Sequence, residues 1–378
     1  MKKIIVIPDS FKGTMSSAEN CDICRAEILK AFPGCEVVCI PVADGGEGSV
    51  DCFLAALGGK KINLQVTGPY FEKLDAFYGI LPDERTAIVE MAACAGLPLV
   101  GERKNPLLTT TYGVGELILD AARRGCKKII VGLGGSATND AGCGMAAALG
   151  VKFEGTGGTF IPTGGTLKDV RRIIPDLPPE LCGVEIITMC DIDNPLYGEN
   201  GAAYVFAPQK GADAAAVRLL DEGLVHISKI IKRDLGIDVS AIPGGGAAGG
   251  MGAGMAAFLG SLLLPGIEIV LDTVGFDKAL EGADLVLTGE GRLDTQSLRG
   301  KVVIGVARRA KRRGVPVVAI VGGYDTGLDA VYQEGVSAVF SINRLPEPLE
   351  VSGPFTRENF TLTLRNILRL IGLKQMPE

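Results

Sequence analysis

The chain has 378 residues, too many for one ordinary hydrophobic core, so two domains are expected. Its formal net charge of −6 leaves no basic footprint for nucleic acid, and one histidine with no tryptophan excludes chemistry that needs several imidazoles. Ten cysteines in a chain this long do not make a disulfide scaffold, which points to a reducing, cytoplasmic setting.

Residues 3–8 form a continuous β-branched run, as expected of a strand buried on both faces rather than of a signal peptide. After the loop Asp9-Ser10-Phe11-Lys12-Gly13-Thr14, a capping box at Ser16-Ser17-Ala18-Glu19 starts a helix that Pro33-Gly34 stops. A second strand over 36–40 delivers Asp44-Gly45-Gly46-Glu47-Gly48, and a right-handed crossover puts both loops on one sheet edge. Short strands follow at 64–67, 76–80 and 87–91, then a helix over 114–124 behind Thr109-Thr110-Thr111. The stretch between Asp238 and Glu268 is uncharged, and its first half is rich in glycine. Its apolar part, 255–264, is too short to span a bilayer and reads as a buried helix. The first pattern then returns: a strand at 284–288, the loop Gly289-Glu290-Gly291-Arg292-Leu293-Asp294, a helix over 301–313, and strands at 316–321 and 338–341.

The predicted fold class is therefore α/β. A Rossmann-like parallel-sheet domain comprises residues 1–67 with 265–378, and an inserted α/β domain with a mixed sheet comprises 68–264.

Two glycine clusters stand out in a chain with about twice the usual glycine share of roughly 7%. One is Gly132-Leu133-Gly134-Gly135-Ser136-Ala137-Thr138-Asn139-Asp140; the other is Gly244-Gly245-Gly246-Ala247-Ala248-Gly249-Gly250-Met251-Gly252. Residues with little side chain let successive N–H groups form a concave cradle for phosphate. Asp9, Asp44, Glu47, Asp140, Asp191, Glu290 and Asp294 all fall at strand ends or in glycine loops. So many carboxylates on one edge call for a balancing cation, and Mg²⁺ on phosphate oxygens is the natural one. Lys12 and Arg292 are the best-placed positive groups; Lys210 and Lys301 read as solvated lysines. No Walker A or protein-kinase signature occurs. Gly244 to Gly249 satisfies G-x-G-x-x-G, but no clear strand precedes it. His226 sits in an apolar helical segment and reads as structural.

In chain order the motifs resemble the bacterial type-1 glycerate kinases. The matching stretches are Pro8-Asp9-Ser10-Phe11-Lys12, Pro41-Val42-Ala43-Asp44-Gly45-Gly46-Glu47-Gly48, Glu90-Met91-Ala92, Thr109 to Thr111 and Gly134 to Asp140. Further on come Cys190-Asp191 with Asn194-Pro195-Leu196, Pro208-Gln209-Lys210-Gly211-Ala212, Gly244 to Gly252, Thr288-Gly289-Glu290-Gly291-Arg292, Asp294 and Gln296. The resemblance spans nearly the whole chain. Asp193 departs from it, standing where a hydroxyl residue is common, and the stretch after Arg344 matches less clearly. It implies ATP- and Mg²⁺-dependent phosphorylation of D-glycerate, at C2, in a cleft between two domains, with no nucleic-acid or membrane partner. On this reading Asp191, Asp44 and Lys12 are catalytic. Asp9, Ser10, Lys12, Gly45, Gly46, Glu47, Thr110, Gly134, Gly135, Ser136, Thr138, Asn139, Gly245, Gly246, Gly289, Glu290 and Arg292 bind ATP or substrate, and Asp191 and Asp140 bind Mg²⁺. The alternatives are a nicotinamide-dependent oxidoreductase, which accounts only for the glycine loops, and a non-catalytic nucleotide-binding protein, which leaves the acids unexplained.

Overall fold

The computed structural model describes the chain except Lys12, Asp44, residues 295–296 and 326–328, Pro346, residues 374–378, and the side chains of Arg299 and Leu349. The chain divides into two compact units. One comprises Met1–Asp44, Ala55–Leu57 and Pro265–Glu378; the other comprises Gly45–Leu54 and Gly58–Leu264.

The first unit opens with β1 (Lys3–Pro8) and β2 (Glu36–Cys39). In the second lie β3 (Lys60–Thr67), β4 (Lys73–Ile80), β5 (Thr86–Glu90), β6 (Lys128–Gly132), β7 (Lys152–Gly155), β8 (Gly158–Phe160), β9 (Arg172–Ile174), β10 (Glu185–Met189) and β11 (Leu262–Leu264). The chain then returns to the first unit with β12 (Leu285–Leu293), β13 (Val317–Tyr324) and β14 (Val336–Ser341).

The first unit holds an all-parallel sheet in the order β14-β13-β12-β1-β2. β1, flanked by β12 and β2, is buried from Ile4 to Pro8, which is why its sequence is apolar without alternation. The Ser16/Glu19 capping box forms and starts the helix Ser17–Ala31. That helix and the C-terminal helix Thr356–Gly372 cover one sheet face, with Ile28, Phe360, Leu364 and Ile367 in the core.

One expectation fails here. Gly289 to Leu293 is not a loop but the second half of β12, in register with β13 from Gly289↔Ile320 to Leu293↔Tyr324. Gly289 marks a close strand approach: a Cβ there would sit 2.0 Å from Ile320 O.

The second unit holds a six-stranded mixed sheet in the order β11-β10-β6-β5-β4-β3. It is parallel from β11 to β5 and antiparallel at β4 and β3. Because β3 pairs with β4 along its whole length, residues 58–67 belong to this unit, and the chain first enters it at Gly45 rather than at Gly68. The stretch 255–264 is not one helix. The helix Ala247–Leu259 ends at left-handed Gly260, and Leu262–Leu264 becomes the strand β11 at the sheet edge. A small antiparallel sheet, β8-β7-β9, was not anticipated, since its strands of three or four residues are too short to show a period.

His226 Nε2 lies 2.7 Å from Val170 O, in keeping with a structural role. Among the described residues, no two cysteines form a disulfide. Among the described residues, no helix is long and apolar enough to cross a membrane.

Candidate active site

The loop after β6 carries the first glycine cluster, at the carboxyl end of a parallel strand where α/β sheets bind ligands. Gly134 and Gly135 are its most open residues, and Gly135 has a φ of +74°. From Ser136 to Asp140 the chain turns inward and is buried.

Asp140 organises this inward turn. Its Oδ2 accepts from Thr111 N at 2.8 Å, Thr111 Oγ1 at 2.9 Å and Gly144 N at 3.2 Å, and its Oδ1 accepts from Gly142 N at 3.2 Å. Burial pushes its pKa up while these four donors pull it down. Thr111 Oγ1 in turn accepts from Met145 N, and Thr109 Oγ1 donates to Ala137 O. Thr110, expected to contact ligand, is instead interior. It is 1% exposed, and its hydroxyl accepts from Tyr112 N at 3.2 Å.

Two residues in the turn keep buried polar atoms without a protein partner: Thr138 Oγ1, and both Oδ1 and Nδ2 of Asn139. A buried amide left unpaired costs about 1–3 kcal/mol per group, so such atoms signal a bound water or ligand group. Beneath the loop lies a residue that sequence reasoning left in solvent. Lys210 is 2% exposed and donates to Ser136 Oγ and Thr138 O.

A second loop lies against the first. A Cβ on Gly132 would sit 2.4 Å from Gly45 O, and one on Gly134 would sit 2.5 Å from Gly46 Cα. Gly134 N also donates to Gly45 O at 3.1 Å. The expected binding residues Gly45, Gly46, Gly134 and Gly135 therefore come together backbone to backbone. Glu90, at the end of β5, holds this second loop: its carboxylate accepts from Gly48 N at 3.1 Å and Val50 N at 2.5 Å. It too went unassigned from sequence, although a carboxylate at a strand terminus, next to a helix start, was the available signal. Glu47 is exposed.

The second glycine cluster is a different object. Gly245 N donates to Ile242 O and Gly246 N to Asn194 O, so neither amide is offered to an anion. Both residues are buried. A Cβ on Gly246 would meet Pro195 O at 2.2 Å, and one on Gly249 would meet Thr138 O at 2.0 Å. The cluster is where the chain packs closely under the Thr138–Asn139 turn, and the expectation of an anion cradle there is corrected. No strand precedes Gly244; the chain arrives by turns from the helix Ala214–Leu235, which removes the context of a dinucleotide fingerprint.

In the other unit, Asp9 and Ser10 follow β1 and adjoin β12 through Asp9 N to Gly289 O at 2.8 Å. Ser10 N donates to Asp9 Oδ1 at 2.6 Å. Glu290 is buried with Oε1 unpartnered. Burial, reinforced by Asp9, pushes its pKa up to about 7, with Ser297 and Lys301 pulling the other way. Arg292 stays outside this group: its exposed guanidinium pairs with Asp325 at 2.8 Å. Asp191 is half-buried just past the end of β10, as its position in the sequence implied. Lys12, Asp44 and Gln296 lie outside the described residues.

The profile of the glycerate kinase family matches residues 4–372. The chain is 48% identical over 368 residues to the glycerate kinase of Bacillus cereus, covering 97% of each chain. It is 44% identical over 376 residues to the glycerate 2-kinase of Escherichia coli, covering 98% of each. A crystal structure of a presumptive glycerate kinase 2 from Salmonella typhimurium LT2 superposes with a TM-score of 0.88 at 41% identity, covering 99% of both chains. With the family model spanning both units, the chain belongs to the glycerate kinase family and is a phosphotransferase.

Proposed function

We propose that this chain transfers the γ-phosphoryl group of ATP to D-glycerate, at its 2-hydroxyl. The observation that carries the reaction is the family match along the whole chain. The 2-position is favoured by the similarity to a glycerate 2-kinase. The loop Gly134 to Asn139 is read as the receiver of an anionic group, because Thr138 and Asn139 hold buried polar atoms that a ligand or its waters would satisfy. Phosphoryl transfer needs little covalent chemistry from the protein. Positioning and charge neutralisation by backbone donors and a few cations are enough, and no enzyme-bound intermediate is required.

A Mg²⁺ carried by the nucleotide asks for one or two carboxylates beside phosphate oxygens and water. Asp191, just past the end of β10, fits that demand. Asp140 fits poorly, since four donors already hold its oxygens. When bound, the ion supplies positive charge against the transferring phosphoryl. Among the described residues, no group of three or more His, Cys, Asp or Glu is placed to hold a metal. Asp191 is the carboxylate we assign to receive the proton of the attacking hydroxyl.

ADP release from ATP, Mg²⁺ and D-glycerate, followed by ³¹P NMR of the product, tests the proposal. 2-Phosphoglycerate is expected. The 3-isomer would overturn the position, and no glycerate-dependent ADP release would overturn the activity.

A further inference from the structure

Lys210 ends the short turn Pro208–Lys210, and its backbone is pinned there. Its N–H donates to Ala207 O, and the following Gly211, at a φ of +94°, leaves a Cβ no room against Lys104 O at 2.5 Å. The ammonium is buried, which lysine seldom tolerates without an anionic partner. Here the bonded partners are neutral: Ser136 Oγ at 2.8 Å and Thr138 O at 2.7 Å. Asp140 is the nearby charge that favours the cation, but its own oxygens are held by Thr111, Gly142 and Gly144. Burial brings the ammonium down to about 7.

A fold seeking stability alone would gain by filling this space with methionine, because a buried charge on neutral acceptors is costly. The charge does something more specific. Its two acceptors flank Ala137, and the second belongs to Thr138, whose hydroxyl and whose neighbour Asn139 carry the unpartnered atoms.

We propose that Lys210 is a positioning residue, its ammonium clamping Ser136 and Thr138 from beneath so that the loop Gly134 to Asn139 keeps the shape that receives an anionic substrate group. The inference rests on the reading of that loop as a ligand site. The clamp itself is tested without it, by hydrogen exchange on the ligand-free protein. In Lys210→Met, amides 136–139 exchange at least about tenfold faster while the helix Tyr112–Arg123 is unchanged. Unchanged exchange in the loop overturns the clamp whatever the activity.

Kinetics then read its effect. In an active wild type, Lys210→Met lowers kcat/KM by about 100-fold, mostly through KM for one substrate, with melting temperature held or raised. A value within about threefold of wild type overturns the positioning role. Propylammonium restores Lys210→Ala by about tenfold or more and propanol does not; equal rescue by both overturns the role of the charge. Wild-type inactivity on ATP and glycerate would instead count against the function and leave the exchange result standing. If Lys210→Met does not fold, Ser136→Ala removes one acceptor and is expected to speed exchange at the same amides; no change there overturns the clamp.

Discussion

Two carboxylates of the second unit sit in opposite surroundings. Asp140 is fully buried under four donors, while Asp191 is half-buried past the end of β10. The same isosteric change therefore acts on different quantities. Asp191→Asn is expected to lower kcat by about 100-fold or more with little change in melting temperature, the magnitude typical of a proton acceptor or metal ligand. Asp140→Asn turns an amide NH₂ toward backbone donors and is expected to cost about 1.5–3 kcal/mol for each charged hydrogen bond lost. Steady-state kinetics and thermal melting on both variants check the contrast. Near-normal turnover in Asp191→Asn would move the proton-accepting role to Asp44.

At the scale of elements, the two glycine clusters look alike as strings and do different things. Gly135 stands at an exposed loop tip, where a methyl group would reach only Ala92 Cβ, at 3.5 Å. Gly246 and Gly249 face carbonyl oxygens at 2.2 and 2.0 Å, and Gly249 also has a φ of +69°. Gly135→Ala is expected to fold, losing about 1–2 kcal/mol for its left-handed backbone, and to show its main effect in a Michaelis constant. Gly246→Ala and Gly249→Ala are expected to melt far earlier or to fail to accumulate, because backbone must move to admit the methyl. Thermal unfolding of the three variants decides it: equal, small shifts would mean the second cluster is open after all.

Across the whole molecule, two buried ionisable groups, one in each unit, shape the pH dependence of stability. Glu290 has its carboxyl raised from 4.5 to about 7, so the fold binds a proton that the unfolded chain has lost. Stability from this group is full below pH 4.5 and declines to about pH 7, by about 3 kcal/mol at 1.36 kcal/mol per pH unit. Lys210, lowered from 10.5 to about 7, works in the next window: the unfolded chain holds the extra proton there, so stability rises from pH 7 toward 10.5. The two contributions together are least favourable near pH 7. Urea midpoints from pH 5 to 10 check this, reading each unit by its own probe. Glu290→Gln should flatten the lower limb and Lys210→Met the upper one. An unchanged lower limb in Glu290→Gln would return that carboxyl to the ordinary range.

What the residues determine by themselves is local. The β-branched run of β1 and the Ser16/Glu19 capping box follow from short-range periodicity and from the need of backbone groups for partners. The ordered motifs carried the family as well. Tertiary structure decided what depends on a distant partner. A glycine records permission for close approach but not what approaches, so only the fold separates open Gly135 from Gly246 under Pro195 and Gly249 under Thr138. The half of β12 read as a loop became strand because β13 supplies its ladder. Lys210 reads as a surface cation until the fold brings Ser136, 74 positions earlier, against its ammonium. Whether a polar side chain is solvated or buried is set by neighbours that no local window contains.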